Sequence, residues 1–282
     1  MKNILTVDLE DWFSVETLQS SIAADQWPRL RSVVERNTYN ILRLFARYKV
    51  SATFFVLGWV ADRYPALVAD VAQAGHEIAC HGYYHRMVSS LSLEQFRSDT
   101  EQARQAIIQA CGRIPVGYRS PSWGMRRNMT WAFALLAEIG FKYDSSIFPI
   151  RHDIYGDPTC PRRIHDIVLP SGQYIVEVPA STIEILGTRI PIGGGGWLRQ
   201  FPYWFTRRAI ARLNRSEMPA VVYFHPWEMD VDIPRVPLSL KNRLRQYGNL
   251  RTMKTKVQRL LNDFDFLPMG EYIELLRKNG RA

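Results

Sequence analysis

Short apolar segments alternate with longer segments of helical periodicity along most of this chain. Each apolar segment has a length suited to a β-strand, and most of them end at a polar residue. The predicted strands are Ile4–Val7, Ala52–Leu57, Glu77–Ala79, Val116–Tyr118, Phe141–Tyr143, Tyr174–Val178 and Ala220–Phe224. Strands that alternate with helices are typical of βα units around a parallel sheet.

The helices are predicted from apolar spacing and capping residues. Ile41, Leu44 and Phe45 recur with the helical period, and Ser92 and Gln95 have the spacing of a capping box. The predicted helices are Val33–Tyr48, Ser92–Cys111, Pro65–Ala74, Asn128–Ile139, Phe201–Leu213, Met253–Phe264 and Pro268–Lys278.

About seven strands of this kind predict a distorted (β/α) barrel, with residues 1–282 forming a single domain. The proline- and glycine-rich segment around 151–200 predicts an irregular insertion of loops and strands, and a basic helical region follows it. In (β/α) barrels the catalytic side chains lie at the carboxyl ends of the strands. In this chain those ends hold Asp8, His81, Arg119, Asp144 and His225.

The charge balance narrows the class of partner. Lys and Arg total 36 against 27 Asp and Glu, a net charge of +9, and 46% of the residues are apolar. This composition excludes a disordered chain, a coiled coil and a collagen-like repeat. The excess predicts an anionic partner, which is a nucleic acid, a membrane surface or an acidic substrate. Because no helix-turn-helix, zinc-finger or RNP pattern is present, we do not expect nucleic-acid binding.

Several sequence features bear on the compartment. The three cysteines, Cys80, Cys111 and Cys160, are too few for a disulfide framework, which favours a reducing compartment. The apolar start of the chain is interrupted at Asp8, too early for a signal peptide, and no apolar stretch is long enough to span a bilayer. We therefore expect a cytoplasmic protein, with peripheral contact to the inner membrane face as an open alternative. The oligomeric state is left undetermined.

Three carboxylates lie close together after the first predicted strand. Asp8, Glu10 and Asp11 would repel one another unless a cation lay among them. A divalent metal together with a general base would explain the cluster. The alternative interpretation is a solvated acidic loop or the start of a helix.

Two histidines four residues apart follow the third predicted strand. His81 and His85 flank a glycine, and both imidazoles could bind one metal ion. The neighbouring His76-Glu77 pair does not complete a zincin HExxH motif, since Cys80 stands where the second histidine is needed. Two histidines with one or two carboxylates favour zinc or a similar borderline metal. The alternative is a pair of surface or capping histidines.

The remaining strand ends carry single candidates. Arg119 precedes Pro121, which turns the chain away from the strand end, so its guanidinium could bind a carboxylate in a bidentate manner. The alternative is a surface arginine before a turn. Asp144 could equally cap a helix. His225 is placed like a general acid at the mouth of a barrel, although a structural histidine has the same pattern. Glu228 is a weaker candidate that we expect to be solvated.

The order of these segments resembles the NodB-homology polysaccharide deacetylases, the fourth carbohydrate esterase family. The resemblance extends from Thr6 to about Trp227. It rests on the segments TVDLED, HGYYH, RSP, DSS and the final histidine. The detailed sequence of four segments is similar to that of a subfamily encoded with exosortase and exopolysaccharide loci; the segments are VDLEDWF, HEIACHGYYHR, YRSPSWG and YFHPWE.

The resemblance implies a role for each matching residue. Asp8 would be the general base, oriented by Arg119, and His225 would be the general acid, tuned by Asp144. His81, His85 and a carboxylate would hold a divalent metal, with zinc expected and cobalt, nickel or manganese as alternatives. The family usually has adjacent aspartates in its first motif, whereas Leu9 and Glu10 separate Asp8 from Asp11 here. Both Glu10 and Asp11 therefore stay candidate ligands, with Glu10 slightly favoured. The family also usually has Ser or Thr where this chain has Gly82.

The expected activity is metal-dependent removal of N-acetyl groups from amino sugars of a polysaccharide or its lipid-linked precursor. The alternatives are an O-acetyl esterase or a non-sugar amidase on the same barrel, or a catalytically silent glycan-binding protein. The expected partner for the basic late region is an anionic membrane surface that carries a lipid-linked glycan, or an acidic polymer. The residues expected to contact the substrate are Tyr118, Pro121, Trp123 and Trp197. For the two tryptophans, the alternative is ordinary packing in an aromatic core.

Overall fold

A computed structural model describes residues 1–19 and 21–280 of the chain. The strands within these residues are β1 (Lys2–Leu9), β2 (Thr53–Val56), β3 (Glu77–Cys80), β4 (Gly117–Tyr118), β5 (Tyr143–Asp144), β6 (His165–Val168), β7 (Tyr174–Glu177), β8 (Thr182–Ile185), β9 (Thr188–Pro191), β10 (Val221–Phe224) and β11 (Asp265–Leu267). The α-helices are α1 (Val34–Tyr48), α2 (Gly58–Arg63), α3 (Pro65–Gln73), α4 (Leu93–Cys111), α5 (Thr130–Ile139), α6 (Gly195–Gln200), α7 (Tyr203–Arg215), α8 (Leu240–Tyr247), α9 (Leu250–Asp263) and α10 (Met269–Lys278).

Nine of the strands form one sheet in the order β10-β1-β2-β3-β4-β5-β7-β6, with β11 also beside β1. All neighbours are parallel except the edge pair β6–β7. The predicted α/β class with a parallel sheet is therefore confirmed. Closure into a barrel is not confirmed, because among the described residues no ladder joins β6 to β10.

The predicted elements overlap observed ones throughout, but several observed elements were not predicted. The unpredicted strands are the edge strand β6, the separate hairpin β8–β9 and the short β11. The unpredicted helices α2, α6 and α8 are only 6 to 8 residues long, too short for a clear apolar period. The expected insertion around 151–200 thus contains β6 to β9 and α6.

Alternation along β1 sends side chains to two different cores. Val7 belongs to the large cluster beneath the surrounding helices, whereas Ile4 belongs to a smaller cluster with Met269 and Ile273 of α10. Because side chains alternate along a strand, Thr6 and Asp8 face the same side as Ile4. Helix α10 packs against this face of β1 at the Ile4 end. Asp8 lies near the opposite, carboxyl end of β1.

Two glycines allow the backbone after β9 to approach β10 closely. Tyr223 donates its N–H to the carbonyl of Gly193 at 2.9 Å, and Gly194 forms a parallel bridge with Tyr223. A Cβ atom on Gly194 would lie 2.1 Å from the Tyr223 carbonyl oxygen. The glycine run therefore joins the insertion to the sheet. None of the helices in the described ranges is both long and apolar enough to cross a membrane.

Candidate active site

The carboxyl ends of several strands meet at one pocket of about 500 Å³. β1 supplies Asp8 and, just beyond its end, Glu10, while β3 and β10 are followed by His81 and His225. His85 joins them from the loop after β3. The parallel register explains this convergence, since the ends of neighbouring parallel strands lie at the same edge of the sheet.

Glu10, His81 and His85 form a buried group with the composition of a metal site. One potential ligand atom from each lies within 4.8 Å of the others. The Glu10 Oε2 to His85 Nε2 distance is 2.8 Å. His81 Nδ1 is hydrogen-bonded to the carbonyl oxygen of Arg119 at 2.8 Å, which leaves Nε2 free to act as a ligand.

The electrostatics of this group favour a neutral His81 ring and an ionised Glu10 carboxylate. Burial lowers the pKa of His81 to about 3, so its ring is neutral, as metal coordination requires. Burial opposes ionisation of Glu10, but the neighbouring His85 and His225 outweigh it and lower the pKa of this carboxyl group. One carboxylate and two imidazoles suit zinc and similar borderline metals.

The structure places the alternative ligand, Asp11, outside this group. Its carboxylate accepts hydrogen bonds from the Ser32 hydroxyl at 2.5 Å and from the backbone N–H groups of Trp12, Val33 and Val34. Asp11 therefore anchors the start of α1. The physical reason is local, because the first N–H groups of a helix have no partner within the helix and attract a carboxylate.

Asp8 and Arg119 form a buried pair beside the metal-type group. Arg119 donates from Nη1 to Asp8 Oδ1 at 2.6 Å and to Thr6 Oγ1 at 2.9 Å. Its Nε and Nη2 bond the carbonyl and hydroxyl oxygens of Ser145. The second oxygen of Asp8, Oδ2, lies 3.8 Å from His225 Nε2. The structure thus brings together Asp8, Arg119 and His225.

His225 presents its two ring nitrogens to different groups. Nε2 lies 3.5 Å from Glu10 Oε1, on the pocket side, and Nδ1 lies 2.8 Å from Glu228 Oε2. Burial lowers the pKa of the ring, but the carboxylates of Glu228, Glu10 and Asp8 outweigh it and raise the pKa of His225 to about 9. This ring can therefore hold a proton at neutral pH.

Asp144, expected to tune His225, is directed elsewhere. Its carboxylate accepts hydrogen bonds from the Ser146 hydroxyl at 2.6 Å and the Ser146 N–H at 3.0 Å. Burial, only partly offset by the hydrogen bond with Glu177, raises the pKa of Asp144. Ser146 in turn accepts a hydrogen bond from the N–H of Ser120, so Asp144 supports the loop that follows β4.

Two further residues complete the site, namely Glu228, a weaker candidate from the sequence, and Arg199, which the sequence did not indicate. Glu228, expected to be solvated, is fully buried, and its Oε1 accepts a hydrogen bond from Arg199 Nε at 2.6 Å. A signal for Glu228 was present, because a carboxylate three residues after His225 has the spacing of a capping box. Nothing in the sequence pattern indicates Arg199, which lies 29 residues before Glu228 in the chain.

The expected substrate contacts differ in position. Trp123 and Trp197 line the pocket, although Trp123 is largely covered by Phe148 and Tyr223. Tyr118 packs its ring in the hydrophobic core, so the structure does not bring it to the pocket. Pro121 is buried and does not line the pocket. It packs close to Gly82, where an added Cβ atom would lie 3.5 Å from Pro121 Cγ. The pocket wall also includes other aromatic residues, namely His152, Tyr155, Tyr223 and Trp227.

Sequence comparisons match two consecutive segments of the chain to known families. A family model for polysaccharide deacetylase matches residues 22–143, and one for a domain of unknown function, DUF3473, matches residues 145–274. The peptidoglycan deacetylase of Helicobacter pylori is 32% identical over 107 residues, which is 38% of this chain and 36% of that protein. The chitooligosaccharide deacetylase of Rhizobium leguminosarum bv. trifolii is 35% identical over 79 residues, 28% of this chain and 37% of that protein. The chain spans little more than a third of these relatives.

Solved structures show the same fold. A protein from Mycobacterium smegmatis assigned to the polysaccharide deacetylases superposes with a TM-score of 0.61 at 22% identity, covering 100% of this chain and 93% of that one. A CE4 family pseudoenzyme from Bacillus anthracis gives 0.51 at 11% identity, covering 96% and 65%. The narrower resemblance to the exosortase-associated subfamily stays a prediction. Two adjoining segments of the chain thus resemble known families, residues 22–143 the polysaccharide deacetylases and residues 145–274 the DUF3473 family.

Proposed function

We propose that this protein is a metal-dependent hydrolase that removes N-acetyl groups from amino sugars of a polysaccharide or of its precursor. The observation that carries this proposal is the position of Asp8 and His225 beside the Glu10–His81–His85 group, all within one pocket. A general base, a general acid and a metal site together are sufficient for hydrolysis of an unactivated amide.

In the proposed reaction, each residue has one task. Glu10, His81 and His85 would hold a divalent metal, which supplies polarisation of the amide carbonyl and a lowered pKa for water. Asp8 takes the proton from the attacking water, and its bond to Arg119 Nη1 keeps the carboxylate oriented. His225 gives a proton from Nε2 to the leaving nitrogen as the C–N bond breaks. The products are acetate and a free amino sugar.

Acetate release from N-acetylglucosamine oligomers tests this proposal. We expect release by protein supplied with Zn²⁺, loss of release with a chelator, and a decrease of roughly 10²–10⁴-fold in kcat for Asp8→Asn and for His225→Asn. Cobalt, nickel and manganese salts would be compared after chelation to identify the metal that supports the highest rate. Absence of acetate release under all these conditions would contradict the proposal.

The same assay separates the alternatives. Faster release of acetate from O-acetylated than from N-acetylated oligosaccharides would favour an esterase. Hydrolysis of ureides without hydrolysis of either sugar substrate would favour a non-sugar amidase. Saturable binding of N-acetylated oligomers without turnover would favour a silent glycan-binding protein, a possibility that the fold alone leaves open because a CE4 pseudoenzyme shares it.

We also propose that the protein works in the cytoplasm against an anionic membrane that carries a lipid-linked glycan. The feature that supports the membrane contact is helix α8, which carries no acidic residue. Its Leu240 and Leu244 side chains are 75% and 56% exposed, and Lys241 and Arg245, both paired with Asp153, lie beside them at the pocket. Exposed leucines next to cations are typical of helices that bind at a lipid surface.

Sedimentation with vesicles tests this membrane proposal independently of catalysis. We expect binding to phosphatidylglycerol vesicles to exceed binding to phosphatidylcholine vesicles and to weaken several-fold in a Leu240→Asn, Leu244→Asn variant. Leu186→Asn is the matched control, because Leu186 is fully exposed on the β8–β9 hairpin rather than on α8. Equal binding to both kinds of vesicle, or equal weakening by the control, would contradict it.

A further inference from the structure

Glu228 connects His225 to a buried arginine. Its Oε2 accepts hydrogen bonds from the ring Nδ1 of His225 at 2.8 Å and from the His225 backbone N–H at 3.0 Å. Its Oε1 accepts a hydrogen bond from Arg199 Nε at 2.6 Å. Glu228 is 0% exposed and Arg199 is 2% exposed, so solvent screens neither charge.

Arg199 is itself held by a different part of the chain. Its Nη1 donates to the carbonyl oxygen of Gly248 at 2.6 Å, and Nη2 donates to the carbonyl oxygen of Arg245. These carbonyl groups lie at the end of α8 and just beyond it, so the guanidinium links α6 to the end of α8. With its donors occupied on both sides, Arg199 gives the Glu228 carboxylate a fixed position.

The His225 ring is restrained in two directions. Glu228 Oε2 bonds both the ring and the backbone of the same residue, which limits rotation about the side-chain bonds. Trp227 stacks on the ring at 5.4 Å between centroids with an angle of 19° between planes. Nδ1 is thereby directed at a carboxylate, and Nε2 is directed at Asp8 and Glu10.

We propose that Glu228, held in place by Arg199, is the positioning residue for His225. A carboxylate at Nδ1 keeps a proton on that nitrogen and keeps Nε2 facing the reacting groups, as in other histidines used for proton transfer. Glu228 takes the part that the family resemblance implies for Asp144. The catalytic consequence rests on the proposed function, but the ring orientation is a property of this chain and is measurable without turnover.

Kinetics of two Glu228 variants test the catalytic consequence. Glu228→Gln keeps the shape but removes the charge, and we expect kcat to fall roughly 10²–10⁴-fold while KM changes by less than about threefold. Glu228→Asp keeps the charge and should recover part of the lost kcat. An unchanged kcat in folded Glu228→Gln protein would overturn the proposal.

NMR of the His225 ring tests the positioning itself. In protein with ¹⁵N-labelled histidine, without and with added Zn²⁺ and at a pH where the ¹⁵N shifts show a neutral ring, we expect the wild-type proton on Nδ1. Glu228→Gln should shift the proton towards Nε2, and His225→Asn identifies the signal. If Asp144→Asn moves this signal and Glu228→Gln does not, the proposal is wrong.

A double variant deals with the risk of misfolding. Glu228→Gln leaves the buried Arg199 charge without its carboxylate, which is expected to lower the stability of the fold. Arg199→Met with Glu228→Gln removes both charges and should restore part of the melting temperature, while kcat and the Nδ1 proton signal stay altered. Recovery of both kcat and the signal in the double variant would show that the pair is merely structural.

Discussion

Arg119 Nη1 and Asp8 Oδ1 lie 2.6 Å apart, and both side chains are buried. The pair joins the end of β4 to β1, and the same guanidinium also bonds Ser145 beyond β5. The guanidinium carbon lies over the Phe55 ring, 4.0 Å from its centroid, which restricts the side chain further. A charged residue in this position holds the Asp8 carboxylate at one angle to the pocket.

Arg119→Met tests the importance of this pair. Removal of one partner from a buried ion pair typically costs about 3–5 kcal/mol, because the other charge loses its compensation. We therefore expect a lower free energy of unfolding in urea, together with a lower kcat in the fraction that folds. Arg113→Met, at an exposed position, is the control and should change neither quantity measurably. Equal stability of the two variants would contradict the prediction.

Glu10→Gln and Asp11→Asn should separate metal binding from folding. Glu10 belongs to the group with His81 and His85, so Glu10→Gln should weaken Zn²⁺ binding by more than the roughly 10–100-fold typical of outer-shell changes. Asp11→Asn places an NH₂ group against backbone donors at the start of α1 and should lower the free energy of unfolding by about 1–3 kcal/mol.

Isothermal titration with Zn²⁺ and urea unfolding in chelator measure the two effects separately. The expected result is a large loss of affinity with little loss of stability for Glu10→Gln, and the reverse for Asp11→Asn. A loss of Zn²⁺ affinity only in Asp11→Asn would mean that Asp11 is the ligand.

His76 should make stability depend on pH. Burial against Phe45 and Phe54 lowers the pKa of His76 to about 4, so the folded state binds this proton less readily than the unfolded state. The contribution to stability is complete above about pH 6.5 and is lost as the pH falls towards 4.

Urea unfolding in chelator between about pH 7 and 4 measures this dependence. His76→Gln should flatten the curve by no more than about 1.4 kcal/mol per pH unit, the effect of one proton. The wild-type curve should be the steeper one because only it takes up this proton on unfolding. Parallel curves for the two proteins would show that His76 does not contribute.

Gly194→Ala should damage the wall of the pocket. Its Cβ would lie 2.1 Å from the Tyr223 carbonyl oxygen and 2.4 Å from Tyr223 Cδ1, so β10 and the ring must move. We expect a fall in the melting temperature and in kcat. Gly196→Ala is the matched control, because its Cβ would have only Arg199 Nη2 within range, at 3.8 Å. Similar losses in both variants would exclude this explanation.

The sequence was sufficient to predict which polar residues lie at the strand ends, but not to predict every contact between them. Asp8, His81 and His225 were identifiable because each ends a short apolar segment, and parallel strands bring such ends together. The spacing of Glu228 indicated a carboxylate near His225, but the choice between Glu228 and Asp144 could not be predicted, because the direction of a buried carboxylate depends on distant groups. Ser146 and Glu177 draw Asp144 away, while Arg199 stabilises Glu228.

Short elements were missed for a related reason. Helix α8 has only 8 residues, and its exposed Leu240 and Leu244 give no buried face to recognise. Its position is fixed by the tertiary hydrogen bonds from Arg199 to Arg245 and Gly248, which no local pattern encodes. Local propensity therefore predicts long helices better than the loops and short helices that complete the pocket.

The position of β1 has a consequence for how the chain folds. β1 pairs with β2 on one side and with β10 on the other, and its register joins Ile4 to Val221. During synthesis, the strand that carries Asp8 therefore stays half-paired until more than two hundred further residues have been made. Such long-range pairing is slow, and we expect the assembly of β10 beside β1 to limit the rate at which the active protein appears.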